Sequence, residues 1–233
     1  MNGRIRALRL ADAAFREVVR IHERYATEVV ERFDLCPWAA RARARGRVRC
    51  AVLVGRELGD LAASLAAIAE LEADPTVEIG LLIYPGISLS RLDFEAFVRR
   101  LRAADGERHP PFGAPFAMAA FHPEAMADLS DPDRLVPFLR RSPDPTVQLV
   151  RWSALEAVRG RVPEGTSFLD LRLLAQSRRE HEPTSVHERV TRHNLATVRR
   201  IGPATLEAIF ADIEADRARS YARYGELSCK GAS

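Results

Sequence analysis

Two hydrophobic patterns alternate along the chain, and this alternation constrains the fold more than any other feature. Short apolar runs bounded by turn residues predict strands over 48–54, 77–84, 116–121 and 146–151. Apolar residues at helical spacing predict helices between and around these runs, including one over 12–33. Because strands that alternate with helices form layered sheets, we predict an α/β fold: a small sheet of about four strands layered with helices, plus N-terminal and C-terminal helices.

The segments of the chain are consistent with one α/β domain over 1–225 and a frayed tail over 226–233. Residues 176–185 form a polar linker, and Gly202-Pro203 is predicted to separate two final helices. The first residues lack the apolar core of a signal peptide, and no segment is long enough to span a membrane. The three cysteines form no disulfide framework, so we expect a cytoplasmic protein.

Charge and missing motifs narrow the choice of partners. The formal charge is only +3, and the densest basic cluster, residues 41–49, has no interleaved aromatic residue. We predict that this cluster is a solvated helix end running into an edge strand, and we expect neither a nucleic-acid nor a membrane partner. No dinucleotide-binding, P-loop or nucleophile-elbow motif is present. Whether the final helices form a homodimer contact is left undecided by the sequence.

Cys36 is the first candidate site residue. Pro37 biases Cys36 towards an extended backbone and favours the first turn of a helix, so Cys36 is a plausible N-cap of a helix beginning at Pro37. Free backbone N–H groups and the helix dipole would then lower the pKa of the thiol and favour the thiolate. The alternative is a buried cysteine that acts as a small hydrophobic residue.

Two further segments carry polar chemistry. His122 follows the predicted strand 116–121, at the end where ligands gather in open α/β sheets, and could be a general acid or base. The alternative is a strand-terminal histidine that bonds to a nearby carbonyl. Arg141 and Ser142 lie in a proline-stiffened loop suited to a carboxylate or phosphate, or else form an ordinary turn. They would neighbour His122 if strands 116–121 and 146–151 are antiparallel.

A third histidine, His22, lies on the apolar face of the predicted helix 12–33. We interpret it as a packed core histidine rather than a ligand.

These segments, taken together, resemble the uncharacterised bacterial family catalogued as domain of unknown function 1415. Its Leu-Cys-Pro-aromatic motif is matched by Leu35 to Trp38 and its Phe-His-Pro motif by Phe121 to Pro123. Its Arg-Ser-Pro-x-Pro-Thr segment is matched by 141–146, and a late segment resembles His193-Asn194-Leu195 through Gly202, with histidine in place of arginine. The resemblance spans roughly 15–202.

The resemblance implies that five residues form one constellation: Cys36, His122, Arg141, Ser142 and Asn194. The family has no established activity, so it supplies positions and not a reaction. The chain departs from it at Asp34, where the family often has asparagine. An acidic neighbour opposes thiolate formation at Cys36.

Three functions remain open. The first is a cytoplasmic enzyme that acts on a small anionic substrate. Cys36 would be the nucleophile and His122 the acid or base. Arg141 and Ser142 would bind the anion, and Asn194 would orient a neighbouring group. The second is a heme- or transition-metal-binding protein that uses Cys36 and His122 as ligands. The third is a non-catalytic interaction module, which predicts no enclosed pocket around these two residues.

Overall fold

The computed structural model describes residues 5–7, 12–55, 61–111, 113–159, 186–225 and 227. Within them, one mixed sheet has the strand order β1-β2-β3-β5-β4. Its strands are β1 (Ile5–Ala7), β2 (Val48–Leu53), β3 (Ile79–Ile83), β4 (Phe116–Phe121) and β5 (Thr146–Arg151). The first three run parallel, and β5 lies antiparallel between β3 and β4. The α/β prediction and its four strands are confirmed.

The short strand β1 corrects one expectation. It pairs with β2, so β2 has a neighbour on both sides and is not an edge strand. The arginines before and within β2 bond largely to the protein itself. Arg43 pairs with Glu31, Arg47 with Glu78 and Arg49 with Asp74.

Helices cover both faces of the sheet. They are α1 (Asp12–Tyr25), α2 (Ala39–Ala44), α3 (Ala62–Ala73), α4 (Arg91–Gly106), α5 (Pro132–Leu139), α6 (Trp152–Arg159), α7 (Val186–Ile201) and α8 (Pro203–Tyr221). The predicted single helix over 12–33 is α-helical only to Tyr25 and continues as a π-helical segment, Ala26–Glu31. Such segments occur often at functional sites.

Local signals fix several helix boundaries. Ser90 Oγ accepts a hydrogen bond from the Asp93 backbone N–H at the start of α4, and Asp131 caps α5 in the same way. Gly202 separates α7 from α8 with a φ of 82°, in the left-handed region that favours glycine. The predicted break at Gly202-Pro203 is therefore confirmed.

Alternation along the strands produces two cores. On one face, Ala51, Leu82 and Leu149 pack against α3 and α4. On the other face, Ile79, Leu81 and Ile83 pack against α1, α5, α7 and α8. We call the second the helix-rich face. Gly80 lets α3 approach the sheet, because a Cβ there would lie 2.8 Å from Leu71 Cδ1.

Some expectations concern residues that the structure does not describe. The linker 176–185 and the tail 226–233 lie outside the described residues, apart from Leu227, which is buried. The single-domain assignment stays a prediction. Among the described helices, none has the length and hydropathy needed to cross a bilayer.

Candidate functional site

A cavity of about 450 Å³ lies on the helix-rich face and contains Cys36 in its wall. Short side chains on β4 help to create it. Ala117 and Ala119 line the cavity, whereas the Phe116 side chain is buried against the opposite face. The remaining walls come from strands β2, β3 and β5 and from α1, the π-helical segment, α2, α5, α6 and α7. We call this space the Cys36 cavity. The interaction-module hypothesis does not predict such a cavity.

The turn that carries Cys36 is set by its neighbours. Asp34 has a φ of 52°, a left-handed conformation that aspartate and asparagine adopt more readily than most residues. This backbone requirement explains how either residue suits the position. Leu35 N–H then donates to Val30 O over 2.9 Å, so the chain folds back onto the π-helical segment. Helix α2 begins at Ala39, two residues later than predicted, with Trp38 at its N-cap.

Opposing effects act on the Cys36 thiol. Burial raises its pKa to about 11, while hydrogen bonds from the backbone N–H groups of Trp38 and Ala39 lower it. Arg140 also lowers the pKa, and Asp34 raises it. The expected backbone donors are therefore present, but desolvation outweighs them. At neutral pH the group is a thiol, as in the alternative interpretation of a buried cysteine.

Arg140 brings a positive charge to the same cavity. Its guanidinium packs over Phe121, with Cζ 5.6 Å from the ring centroid, and burial lowers its pKa. It still carries its charge at neutral pH. Within the described residues, no carboxylate forms an ion pair with Arg140, although Glu95 lies close enough to influence its pKa. Its backbone carbonyl accepts from the N–H groups of His122 and Ser142 at 3.0 and 2.9 Å.

Two side chains from α1 complete the polar part of this wall. The Tyr25 hydroxyl donates to Leu139 O over 2.6 Å, and burial raises its pKa, so the phenol is neutral. Burial lowers the pKa of His22 to about 4, so its imidazole is also neutral at pH 7. His22 is buried, as predicted for a core histidine, yet it also lines the Cys36 cavity.

Asn194 ties helix α7 to the cysteine turn. Its Nδ2 donates to the carbonyl of Leu35 over 3.1 Å, next to Cys36. Asn194 lines the Cys36 cavity, and its buried Oδ1 has no hydrogen-bond partner among the described residues.

His122 borders a second cavity of about 120 Å³, not the Cys36 cavity. Its Nδ1 accepts from Glu124 N–H, so Nε2 carries the proton and donates to Leu89 O at 3.1 Å. Burial lowers the pKa of the ring. These contacts are those of the alternative interpretation, a strand-terminal histidine bonded to a carbonyl. Its role as acid or base stays a prediction.

Arg141 and Ser142 neighbour His122 through the backbone, as the antiparallel pairing of Phe121 with Thr146 requires. Their side chains lie elsewhere. Arg141 pairs with Glu207 and packs over Phe210, while Ser142 is buried and donates to Asp144 O over 2.6 Å. Neither side chain borders the Cys36 cavity. The anion-binding roles assigned to them stay untested.

The sequence analysis missed the structural role of Asp144. Its carboxylate accepts two hydrogen bonds from Arg217, at 2.8 and 2.6 Å, and one from the Tyr221 hydroxyl at 2.7 Å. Thr146 Oγ1 donates to the Asp144 carbonyl over 2.9 Å. Residues 141–146, which we call the motif loop, therefore anchor α8 and fix the backbone from which Arg140 projects. The only sequence signal for this role is that an acidic residue is flanked by two prolines.

The structure does not bring Cys36 and His122 into one ligand set, because they border different cavities. Within the described ranges, no three His, Cys, Asp or Glu side chains are grouped in a way that could hold a metal ion.

Comparisons with known proteins give one positive result. A family model described as "Protein of unknown function (DUF1415)" matches residues 17–172, more than half of the chain. The match includes Cys36, His122, Arg141 and Ser142 but ends before Asn194. No curated protein and no solved structure matches. The chain therefore belongs to the family of unknown function that its motifs resemble.

Proposed function

We propose that the protein is a cytoplasmic enzyme that holds a small anionic molecule in the Cys36 cavity and reacts with it through the Cys36 thiol. One observation carries the proposal: a thiol and a guanidinium without an ion-pair partner among the described residues border one largely apolar cavity. A partly buried cation favours an anion, because charge-assisted hydrogen bonds strengthen in a low dielectric. The volume of about 450 Å³ is within the usual range for small-molecule sites.

The wall chemistry defines the substrate further. Apolar side chains such as Val30, Leu81 and Leu139 form most of the lining, which favours an apolar body. The other arginine of the lining, Arg43, already makes two hydrogen bonds to Glu31. Arg140 therefore offers a place for one negative charge. A substrate with a single carboxylate and an apolar remainder fits this arrangement best.

In the reactive step, the sulfur forms a bond to an electrophilic carbon of the substrate, and the electron pair of the broken bond leaves with the departing group. The thiol proton passes to water. The His22 imidazole, with a pKa of about 4, is too weak a base to hold that proton at neutral pH. Arg140 assists by lowering the pKa of the thiol, and the Asn194 bond to Leu35 holds the cysteine turn in place.

Two alkylating reagents that differ in charge test this proposal. Iodoacetate carries a carboxylate, and iodoacetamide is its neutral counterpart; both transfer a two-carbon group to sulfur and release iodide. We expect the rate ratio of iodoacetate to iodoacetamide at Cys36 to be about tenfold higher in the folded protein than in the unfolded chain, since a buried charged hydrogen bond contributes about 1.5 kcal/mol or more. The iodoacetate rate should also saturate with reagent concentration.

Cys50 provides the control within the same chain. Burial raises the pKa of this thiol as well, to about 12, but Cys50 does not line the Cys36 cavity. Its rate ratio should equal that of the unfolded chain, as measured by mass spectrometry of each cysteine peptide. An unchanged ratio at Cys36, or no reaction of native Cys36 with either reagent, would refute the proposal.

A further inference from the structure

The second cavity adjoins the Cys36 cavity at the carboxyl end of β4. Its volume is about 120 Å³, and its lining includes Arg91, Glu95, Ala120, His122 and Arg140. Arg140 also lines the Cys36 cavity, so one guanidinium borders both spaces. We call this second space the His122 cavity.

The lining of the His122 cavity has a surplus of positive charge. Arg91 pairs with Glu95, and these two charges offset each other. Both ring nitrogens of His122 bond to backbone groups, which fixes the neutral tautomer. The charge of Arg140 remains, because within the described part of the chain no carboxylate pairs with it. A partly buried positive charge without an ion-pair partner among the described residues favours an anion.

The size of the cavity restricts which anion can enter. Its volume of about 120 Å³ is much smaller than the 450 Å³ of the Cys36 cavity. A carboxylate with one or two carbons, bicarbonate or inorganic phosphate fits this space. The apolar body of a larger organic anion is accommodated better by the Cys36 cavity.

We propose that the His122 cavity is a binding site for a small oxyanion, and that this ion is coupled to the Cys36 cavity through the shared guanidinium of Arg140. The coupling is negative. Two anions on one guanidinium repel each other, and an anion on Arg140 also cancels the positive charge that stabilises a Cys36 thiolate. The proposal goes beyond the proposed function, because oxyanion binding here requires no reaction at Cys36.

Adjacent alanines on β4 provide a matched pair of variants. Ala119 lines the Cys36 cavity and Ala120 lines the His122 cavity, because successive strand residues face opposite sides of the sheet. Ala120→Leu fills the small cavity and leaves every charge in place. Ala119→Leu fills part of the large one. Each variant adds the same number of carbon atoms to the same strand.

The binding test follows the ring C–H resonances of His122 by NMR while acetate, bicarbonate or phosphate is added, with sodium chloride at equal ionic strength as reference. We expect saturable shifts at His122 that are absent at the exposed His193. Ala120→Leu should abolish these shifts and Ala119→Leu should retain them. Shifts no larger than those caused by chloride, or shifts that persist in Ala120→Leu, would overturn the site. Comparing the binding of acetate, bicarbonate and phosphate shows whether the site prefers a carboxylate or a phosphate.

A charge variant keeps the test decisive if Ala120→Leu fails to fold. Glu95→Gln removes the one carboxylate of the lining, so the oxyanion should bind several-fold more tightly. Unchanged or weaker binding would contradict the proposal.

The coupling is measured separately with neutral iodoacetamide. A saturating oxyanion should slow alkylation of Cys36 several-fold at constant pH in the wild type, and this effect should disappear in Ala120→Leu. An unchanged rate would overturn the coupling even where the NMR shifts establish the site. The iodoacetate comparison under the proposed function can fail or succeed independently of either result.

Discussion

At the scale of single residues, the chemistry of Cys36 depends on a balance that the local sequence determines only in part. Pro37 correctly indicated a turn with free N–H groups, and Trp38 and Ala39 do donate to the thiol. The opposing effect, desolvation, comes from walls that are distant in the chain, such as α7 and β4. No local motif reports how completely such walls enclose a sulfur.

The raised pKa of Cys36 leads to a pH prediction. Below a pKa of about 11, the thiolate fraction rises tenfold for each pH unit, so the alkylation rate should rise by the same factor without levelling off before about pH 10. The unfolded chain, with an ordinary cysteine pKa of about 8.5, should level off near pH 9. Stopped-time alkylation with iodoacetamide followed by peptide mass spectrometry measures both profiles. A plateau of the folded protein at or below pH 9 would contradict the account.

Two pairs of like residues show where sequence reasoning reaches its limit. Arg140 and Arg141 are adjacent at the end of α5, yet only Arg140 borders the Cys36 cavity. The imidazole in that cavity belongs to His22, whereas His122 borders the neighbouring one. The direction of each side chain depends on the turn after α5 and on the α1 packing, which motif spacing does not encode.

At the scale of elements, the final helix α8 is held by two kinds of ion pair. Asp144 forms an ion pair with Arg217, and the Asp144 side chain is only 2% exposed. Asp212 forms an ion pair with Arg24, and the Asp212 side chain is 65% exposed. Buried and exposed pairs differ in their effect on stability. Removing one partner of a buried pair leaves the other charge poorly compensated.

We therefore expect Asp144→Asn to lower the free energy of unfolding by about 3 kcal/mol, and Asp212→Asn to lower it by less than about 1 kcal/mol. The two substitutions are chemically identical and both affect the docking of α8. Urea unfolding followed by circular dichroism measures the difference. Equal losses would show that the motif loop does not anchor this helix.

The elements themselves were the most predictable part of the molecule. Strands β4 and β5 begin and end at the predicted residues, and Ser90 and Asp131 cap the helices α4 and α5. These features depend on short-range patterns and on turn chemistry. The switch to π-helical geometry after Tyr25 was missed, because the apolar spacing continues without interruption into that segment.

At the scale of the whole molecule, strand order decides where the cavity lies. Strand β5 inserts between β3 and β4, so Thr146 pairs with both Ile83 and Phe121. This insertion places the motif loop next to the end of β4. An antiparallel pair of β4 and β5 could be anticipated from the sequence, but the neighbour of β3 could not, since it depends on long-range packing.

The small side chains of β4 determine how much space the helix-rich face encloses. Ala119→Leu should place its added carbons in the Cys36 cavity, leave stability unchanged or raise it by about 1 kcal/mol, and reduce the iodoacetate preference at Cys36. Thermal unfolding and the two-reagent rate ratio measure both effects. A destabilised variant that keeps the full preference would mean that the cavity does not admit the reagent.

The central claim is that a thiol and a guanidinium act together in one cavity, and a pair of neighbouring arginines tests it most directly. Arg140→Met removes the charge that borders the Cys36 cavity, whereas Arg141→Met removes one that pairs with Glu207. The measurement is the iodoacetate-to-iodoacetamide rate ratio at Cys36. Our account predicts that the ratio falls about tenfold, to that of the unfolded chain, in Arg140→Met and keeps its wild-type value in Arg141→Met. Equal ratios in the two variants would contradict it.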